Sequence, residues 1–341
     1  MKYSAAIAQA TVDAMKADPS VHVFGAGVAD PKGIFGTTYQ ANMEYPGRVH
    51  ETPLSENALT GALVGMVLGG IKPIFVHARV DFLMLTMEHL VNTVAKWGFA
   101  HGRPERPMPM VIRAITGQGW GQGPQHSQAL HAMLGHVPGL SVMLPYTPAD
   151  AYMAIKEAVE IGRPTIILEH RRLYDTEGEI TWSPSFYAWS AKQNIALNHP
   201  SADVTIVAVS ASVLDAVEAS DALRHMGIAA DVFVCRRIPI RWDLIETVVA
   251  KTGRLVVVDT GLETCGLSSE IIAGCARRGL LKVPPISITP PFYPCPTSSE
   301  LEKVWYPTAS NVINACLQVI GSDIRVATIG AAVRDGRSSP F

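Results

Sequence analysis

The sequence predicts an α/β protein of two domains, the first a parallel sheet flanked by helices and the second a smaller α/β sheet domain. Three observations carry this expectation. Short β-rich runs alternate with helical patterns from end to end, the arrangement that builds a parallel sheet. Several runs are apolar at successive rather than alternate positions, which places both of their faces in a core. The alternation breaks once, from about 171 to 202, and then resumes.

Each element has a local reason. MKYSAAIAQATVDAMKADPS reads as an amphipathic helix beginning near Ser4, because polar residues interrupt any signal-like apolar region. VHVFGAG, KPIFVHA, PMVIRAI, LSVMLP and PTIILEH read as buried strands. Thr147-Pro148-Ala149-Asp150 supplies an N-cap, a first-turn proline and an early acid, and that helix stops near Gly162. LYDTEGEITWSPSFYAWSAKQNIALNHPSAD is polar and aromatic by turns and suits a linker. VTIVAVS restarts the pattern, Ser212-Val213-Leu214-Asp215 reads as a capping-box-like start, and Gly227 as a stop. AADVFVC and GRLVVVDT are further strands. The expected division is a first domain over 1–175, a linker over 176–202, a second domain over 203–321 and a tail over 322–341 with no partner pattern in the chain.

Composition excludes several classes. A 48% hydrophobic content with 17% charged residues fits a well-buried globular chain and argues against disorder. With a formal net charge of −2, no basic surface advertises nucleic-acid or membrane binding. No apolar run approaches the ~20 residues of a membrane span. The five cysteines are odd in number and lack any CxxC pair, so buried free thiols in a reducing, cytoplasmic setting are expected.

The stretch ETPLSENALTGALVGMVLGG holds Glu56 at the mouth of a run with no other charge until Lys72. Either the carboxylate is a helix-start residue favoured by the dipole, or a site requires it. Gly61, Gly65 and Gly69 make a groove on the same helix, for helix-on-sheet packing or for another subunit. GAGVADPKG lacks GxGxxG spacing, and there is no GxxxxGK[ST], GxSxG or HExxH. GQGWGQG after PMVIRAI reads as a long turn or a mobile loop beside a ligand. His126, His131 and His136 recur every five residues, so on a helix they share no face, and no metal site is expected.

At the level of whole segments the chain resembles the β subunits (E1β) of thiamine-diphosphate-dependent 2-oxo acid dehydrogenases of the pyruvate, branched-chain and acetoin type, within the transketolase-like superfamily. TPLSENALTGALVGMVLGGIKPIF, VDFLMLTMEHLVNTVAK, GPQHSQALHAMLGHVPGLSVMLPYTPADA, RRIPIRWD and DTGLETCGLSSEI carry the resemblance, in order, over about residues 1–320. It implies an N-terminal domain that binds the cofactor's pyrimidine and a transketolase-type C-terminal domain. It also implies roles for four residues. Glu56 corresponds to the catalytic glutamate, which hydrogen-bonds N1′ of the aminopyrimidine and favours the imino tautomer that activates the thiazolium carbon. Burial that raises a carboxyl pKa suits that role. Ala78 and Phe82 fall at positions that touch the pyrimidine, and His126 matches a histidine at the site entrance that assists acyl handling.

Some positions depart from the family pattern. Gly25-Ala26-Gly27-Val28 replaces an acidic pair, Ala78 replaces a larger side chain, and His77 and Arg79 add polar groups. Ile161 and Gly162 stand where relatives often carry Asp and Asn at a structural potassium site, which argues against that ion. Gly261-Leu262-Glu263 replaces an aromatic turn. The diphosphate anchor of the superfamily, GDG followed by Asn, does not occur in the chain. The resemblance therefore implies an α-like partner that carries this anchor and holds Mg²⁺, an α2β2 assembly, and a lipoyl-bearing acyltransferase (E2) as a possible acceptor. The expected reaction is decarboxylation of a small 2-oxo acid with transfer of its acyl group. The alternatives are a split transketolase or carboligase that uses an aldehyde, and a silent assembly subunit.

Overall fold

The computed structural model describes residues 1–118, 120–179 and 195–327. Most of the expected linker and tail, and Asp335-Gly336, lie outside them. Contacts divide the chain into two units, one of residues 1–117 with 133–182, the other of 118–132 with the chain from 183 onward.

The first unit contains β1 (Val21–Gly25), β2 (Val49–Glu51), β3 (Lys72–His77), β4 (Val111–Thr116), β5 (Ser141–Met143) and β6 (Thr165–His170). They run parallel in the order β5-β6-β4-β3-β1-β2. Every residue of β4 and β6 is buried, as continuous apolar runs in a parallel sheet require. The helix Tyr3–Ala17 lies against the helix Pro148–Ile161, and the Tyr152 hydroxyl donates to Asp13 across that contact at 2.6 Å. The caps expected of the second helix are present. Thr147 Oγ1 accepts from Asp150 N–H at 3.1 Å, and Gly162 closes the helix at φ +64°.

One polar knot pins the sheet. Arg113 on β4 and Glu169 on β6 point to the same face, and both are fully buried. The guanidinium meets Glu169 through Nε and Nη2, Nη2 also donates to Thr37 Oγ1 at 2.9 Å, and the Tyr174 hydroxyl donates to Glu169 at 2.7 Å. Burial, and then the Glu169 charge, push the Tyr174 phenol well above its ordinary pKa.

The second unit contains β7 (Ile195–Leu197), β8 (Val204–Val209), β9 (Ala230–Cys235), the two-residue β10 (Arg237–Ile238), β11 (Leu255–Val258) and β12 (Ile286–Ile288). Its sheet runs β12-β11-β8-β9-β7, parallel except for β7 against β9. Helices Ser212–His225, Trp242–Thr252, Leu267–Arg277, Ser299–Trp305 and Ala309–Val319 accompany it.

Three local expectations are corrected. The helix does begin at Ser212, but Ser212 is not its cap: the Oγ accepts from Val209 N–H at 3.0 Å and lies 2.8 Å from the Val258 carbonyl oxygen, which ties the ends of β8 and β11. The first tail residues do have a partner, since the Asn314 amide both donates to and accepts from the Val326 backbone at 2.8 Å. All five cysteines are free, yet Cys265 is exposed. Burial pushes Cys235 up to about 12 and Cys275 and Cys295 to about 11, so these thiols stay protonated.

Candidate active site

Because β1, β2 and β3 are parallel neighbours, their carboxyl ends open on one edge of the first sheet. That edge is where open α/β sheets bind ligands. Glu51 ends β2, and its carboxylate accepts from Gly27 N–H and, at 3.1 Å, from Ala29 N–H, so it holds the loop after β1 in place. Five residues on, Glu56 begins the helix Glu56–Leu68. The preceding Ser55 makes no side-chain cap, so the dipole end of the helix faces the acid directly. Glu56 is half-buried, and its carboxylate has no hydrogen-bond or ion-pair partner among the described residues. Within one chain the dry setting expected for it is only half made.

The helix explains why no charge follows. Thr60, Leu63, Val64 and Val67 form a buried stripe at helical spacing. Ala58, Ala62, Gly65, Met66 and Leu68 remain exposed, so a second face is also apolar. The glycines divide between the two proposed uses. A Cβ at Gly61 would meet the His89 ring at 2.9 Å, whereas a Cβ at Gly65 would meet nothing within 4 Å. Gly61 serves packing within the chain, and packing does not require Gly65.

Ala78 is exposed immediately after β3. Phe82, on the short helix Val80–Leu83, is 37% exposed. Glu56, Ala78 and Phe82 therefore all follow the carboxyl ends of β2 and β3. Beside them His77 is buried against Phe75, with ring centroids 4.3 Å apart, and burial pushes its imidazole down to about 4. It is neutral at ordinary pH, with its Nε2 unbonded among the described residues. Arg79 is also buried and donates to the Gly117 carbonyl at 3.3 Å.

His126 belongs to the second unit. It closes the one-turn helix Pro124–His126 and is half-buried. The segment around it is tied down rather than free. Gly121 N–H donates to Glu302 at 2.7 Å, and the Tyr306 hydroxyl donates to the Ser127 carbonyl at 3.0 Å. His131 Nε2 lies 3.1 Å from Asp259 Oδ2, both side chains being buried. Gly119 lies outside the described residues. None of these ties was legible in the sequence, because Gly121 and Glu302 are 181 positions apart. Among the described residues no three His, Cys, Asp or Glu group into a metal site.

The family model for the transketolase pyrimidine binding domain matches residues 1–177, and that for the transketolase C-terminal domain matches 193–312. The chain is 33% identical to the β subunit of acetoin:2,6-dichlorophenolindophenol oxidoreductase of Cupriavidus necator, over 91% of this chain and 94% of that one. The chain belongs to the β subunits of the thiamine-diphosphate-dependent 2-oxo acid dehydrogenases. It is also 32% identical to the mitochondrial pyruvate dehydrogenase E1 component subunit beta-1 of Arabidopsis thaliana, over 91% of this chain and 86% of that one. Among solved structures, a split gene transketolase described as an inactive beta4 tetramer shares the fold, with a TM-score of 0.72 and 20% identity over 94% of this chain and 98% of that one. No helix among the described residues of this family member is long and apolar enough to cross a membrane.

Proposed function

We propose that the chain is the pyrimidine-side subunit of a two-component enzyme that decarboxylates a small 2-oxo acid and passes on its acyl group. One observation carries this reading: Glu56, whose carboxylate has no partner among the described residues, the exposed small residue Ala78 and the exposed ring of Phe82 all follow the carboxyl ends of strands in one parallel sheet. The three fit the pyrimidine of thiamine diphosphate, which needs an acid at one ring nitrogen and a flat face to lie on. Bound there, the cofactor supplies a carbon nucleophile and an electron sink. Glu56 shares a proton with ring nitrogen N1′, and cover over its exposed side would complete the desolvation that favours sharing. Phe82 offers its ring face, Ala78 leaves room, and His126 serves the acyl group.

The diphosphate and Mg²⁺ fall to a partner, because the chain has no GDG segment followed by Asn. The exposed apolar face of the Glu56–Leu68 helix supports a second chain at that edge, in an α2β2 heterotetramer with the cofactor between subunits. A lipoyl-bearing acyltransferase is the acceptor of this reading, and the free cysteines support a cytoplasmic setting. The second reading, transfer to an aldehyde, has the shared fold with a split transketolase in its favour. An inert assembly subunit has no use for a Glu56 carboxylate left without a partner among the described residues.

Titration calorimetry tests the proposal. The chain alone is expected to bind thiamine diphosphate and Mg²⁺ poorly, and the chain co-expressed with an α-like subunit to bind tightly as a heterotetramer. Stoichiometric, magnesium-dependent micromolar binding without a partner would overturn the assembly. Turnover with an aldehyde but with no lipoyl domain or artificial oxidant would move the function to the second reading.

A further inference from the structure

The segment 118–132 leaves the first sheet after β4 and yet is built into the second unit. Its contacts there are close and specific. Gly121 and Gly123 have φ of +80° and +76°, a region that suits glycine. A Cβ on Gly121 would stand 2.6 Å from the Thr297 carbonyl oxygen and 2.7 Å from Ser299 N, and one on Gly123 would stand 3.0 Å from Thr297 Oγ1. The glycines thus let this backbone lie directly on residues 297–299. From the helix that follows, Ser299–Trp305, the buried Glu302 carboxylate accepts the Gly121 N–H. Tyr306, buried just beyond that helix, donates to the Ser127 carbonyl, the residue after His126. At the far end, His131 and Asp259 form a buried pair, and Asp259 also accepts from Gly261 N–H at 2.8 Å.

We propose that Glu302 is a positioning residue: with Tyr306 and the His131–Asp259 pair it fixes the 121–131 segment and thereby sets where His126 stands. A hydrogen bond to a buried carboxylate is among the stronger kinds, and here the donor lies on the backbone, so the bond constrains the path of the loop itself. The three ties fall before, beside and after His126, which leaves that turn little freedom of its own. The functional half of the inference rests on the reading that His126 handles the acyl group. The structural half does not.

Hydrogen–deuterium exchange of the full chain, followed by mass spectrometry, tests the structural half. Glu302→Ala is expected to speed amide exchange in 118–128 by roughly 10–100-fold, the range of one hydrogen bond to a charged group. Glu302→Gln, which keeps an acceptor, should restore much of the protection. Tyr306→Phe removes one hydroxyl and should raise exchange near Ser127 even if Glu302→Ala does not fold. Unchanged exchange in 118–128, or an equal rise throughout the second unit, would overturn the proposal. The functional half is read in the assembled enzyme with pyruvate and acetoin as probes, by a cycle of Glu302→Gln and His126→Ala on acyl transfer. Non-additive losses, with kcat affected more than KM, support positioning through His126, and additive losses overturn it. If His126→Ala alone leaves transfer intact, the assigned role of His126 fails, while the exchange experiment still decides whether Glu302 holds the loop.

Discussion

Two carboxylates of the first unit meet opposite treatment. Glu169 is sealed between strands, bonded by Arg113 through two nitrogens and by Tyr174. Glu56 stands half-exposed at a helix start with no partner among the described residues. A buried charge costs several kcal/mol unless it is paired and hydrogen-bonded, so Glu169 is used up in holding the sheet. Glu56 avoids that cost only by staying partly wet, which keeps its proton chemistry available to whatever covers it. The contrast teaches where to look for function in this fold: at the acid left unsatisfied, rather than at the one with the richest network.

The largest expected effect tests the open acid. Glu56→Gln keeps the size and still hydrogen-bonds, but an amide cannot share a proton with N1′ as a carboxyl does. Deuterium exchange at the cofactor's thiazolium carbon, measured in the assembled enzyme, should slow by roughly 10²–10⁴-fold, or about 3–5 kcal/mol. Stability should barely change, because no cavity opens. Near-equal exchange at full cofactor occupancy would make Glu56 a helix-start residue and erase the contrast.

The sealed acid should respond in the opposite currency. Glu169→Gln strips the charge from the partner of a fully buried guanidinium and should cost about 3 kcal/mol of stability, read as a lower urea midpoint. Exchange at the cofactor carbon should stay near wild type in whatever fraction folds. Replacing the pair together, Arg113→Met with Glu169→Leu, should recover most of the loss, since a well-packed apolar pair often matches a buried ion pair. If the double replacement is as unstable as the single one, Thr37, Tyr174 and the hydrogen bonds they make matter more than the charges.

The legible parts of the molecule are those written locally. Apolar runs announced β1, β3, β4, β5, β6, β8, β9 and β11, and the Thr147 cap and Gly162 stop bounded their helix because cap and turn chemistry is a property of a few adjacent residues. The three-residue β2 and β12 are too short to show a period. Ser212 looked like a cap because its type fits one, and only the folded sheet shows its hydroxyl engaged with Val258 on another strand. Glu56, Ala78 and Phe82 were reached through resemblance, and the parallel order of β1, β2 and β3 supplies the physical reason they share an edge. The latch from Glu302 to Gly121 had no signal at all, because contacts across 181 positions leave no local pattern.

A smaller effect sharpens the reading of the open edge. Gly65 is a helix-interior glycine whose added Cβ would meet nothing within 4 Å. Gly65→Ala should therefore stabilise the isolated chain by about 0.5–1 kcal/mol through helix propensity. If another backbone approaches that face in the assembly, the same methyl should weaken association, seen as a higher dissociation constant in sedimentation. A variant that is more stable and assembles equally well would place the partner elsewhere.

The smallest expected effect concerns a third carboxylate, which lies between the two extremes. Asp18 ends the Tyr3–Ala17 helix, meets Lys72 Nζ at 2.8 Å and accepts from Ser20 through N–H and hydroxyl. The Lys72 hydrogen bond first, and the Ser20 hydroxyl next, hold its carboxyl down to about 2. An unfolded Asp titrates near ~3.9. The folded value is the lower one, so the contribution is fully present above about pH 4 and is lost as the pH falls through about 2. Both side chains are partly open to solvent, at 28% and 37% exposure, so screening should keep the effect below about 1 kcal/mol. Urea midpoints of the wild type and Asp18→Asn, compared at pH 5.5 and near pH 2, should differ slightly at the first and converge at the second. A gap of the same size at both values would mean that Asp18 acts through its helix-end geometry and Ser20, with no share for the charge it presents to Lys72.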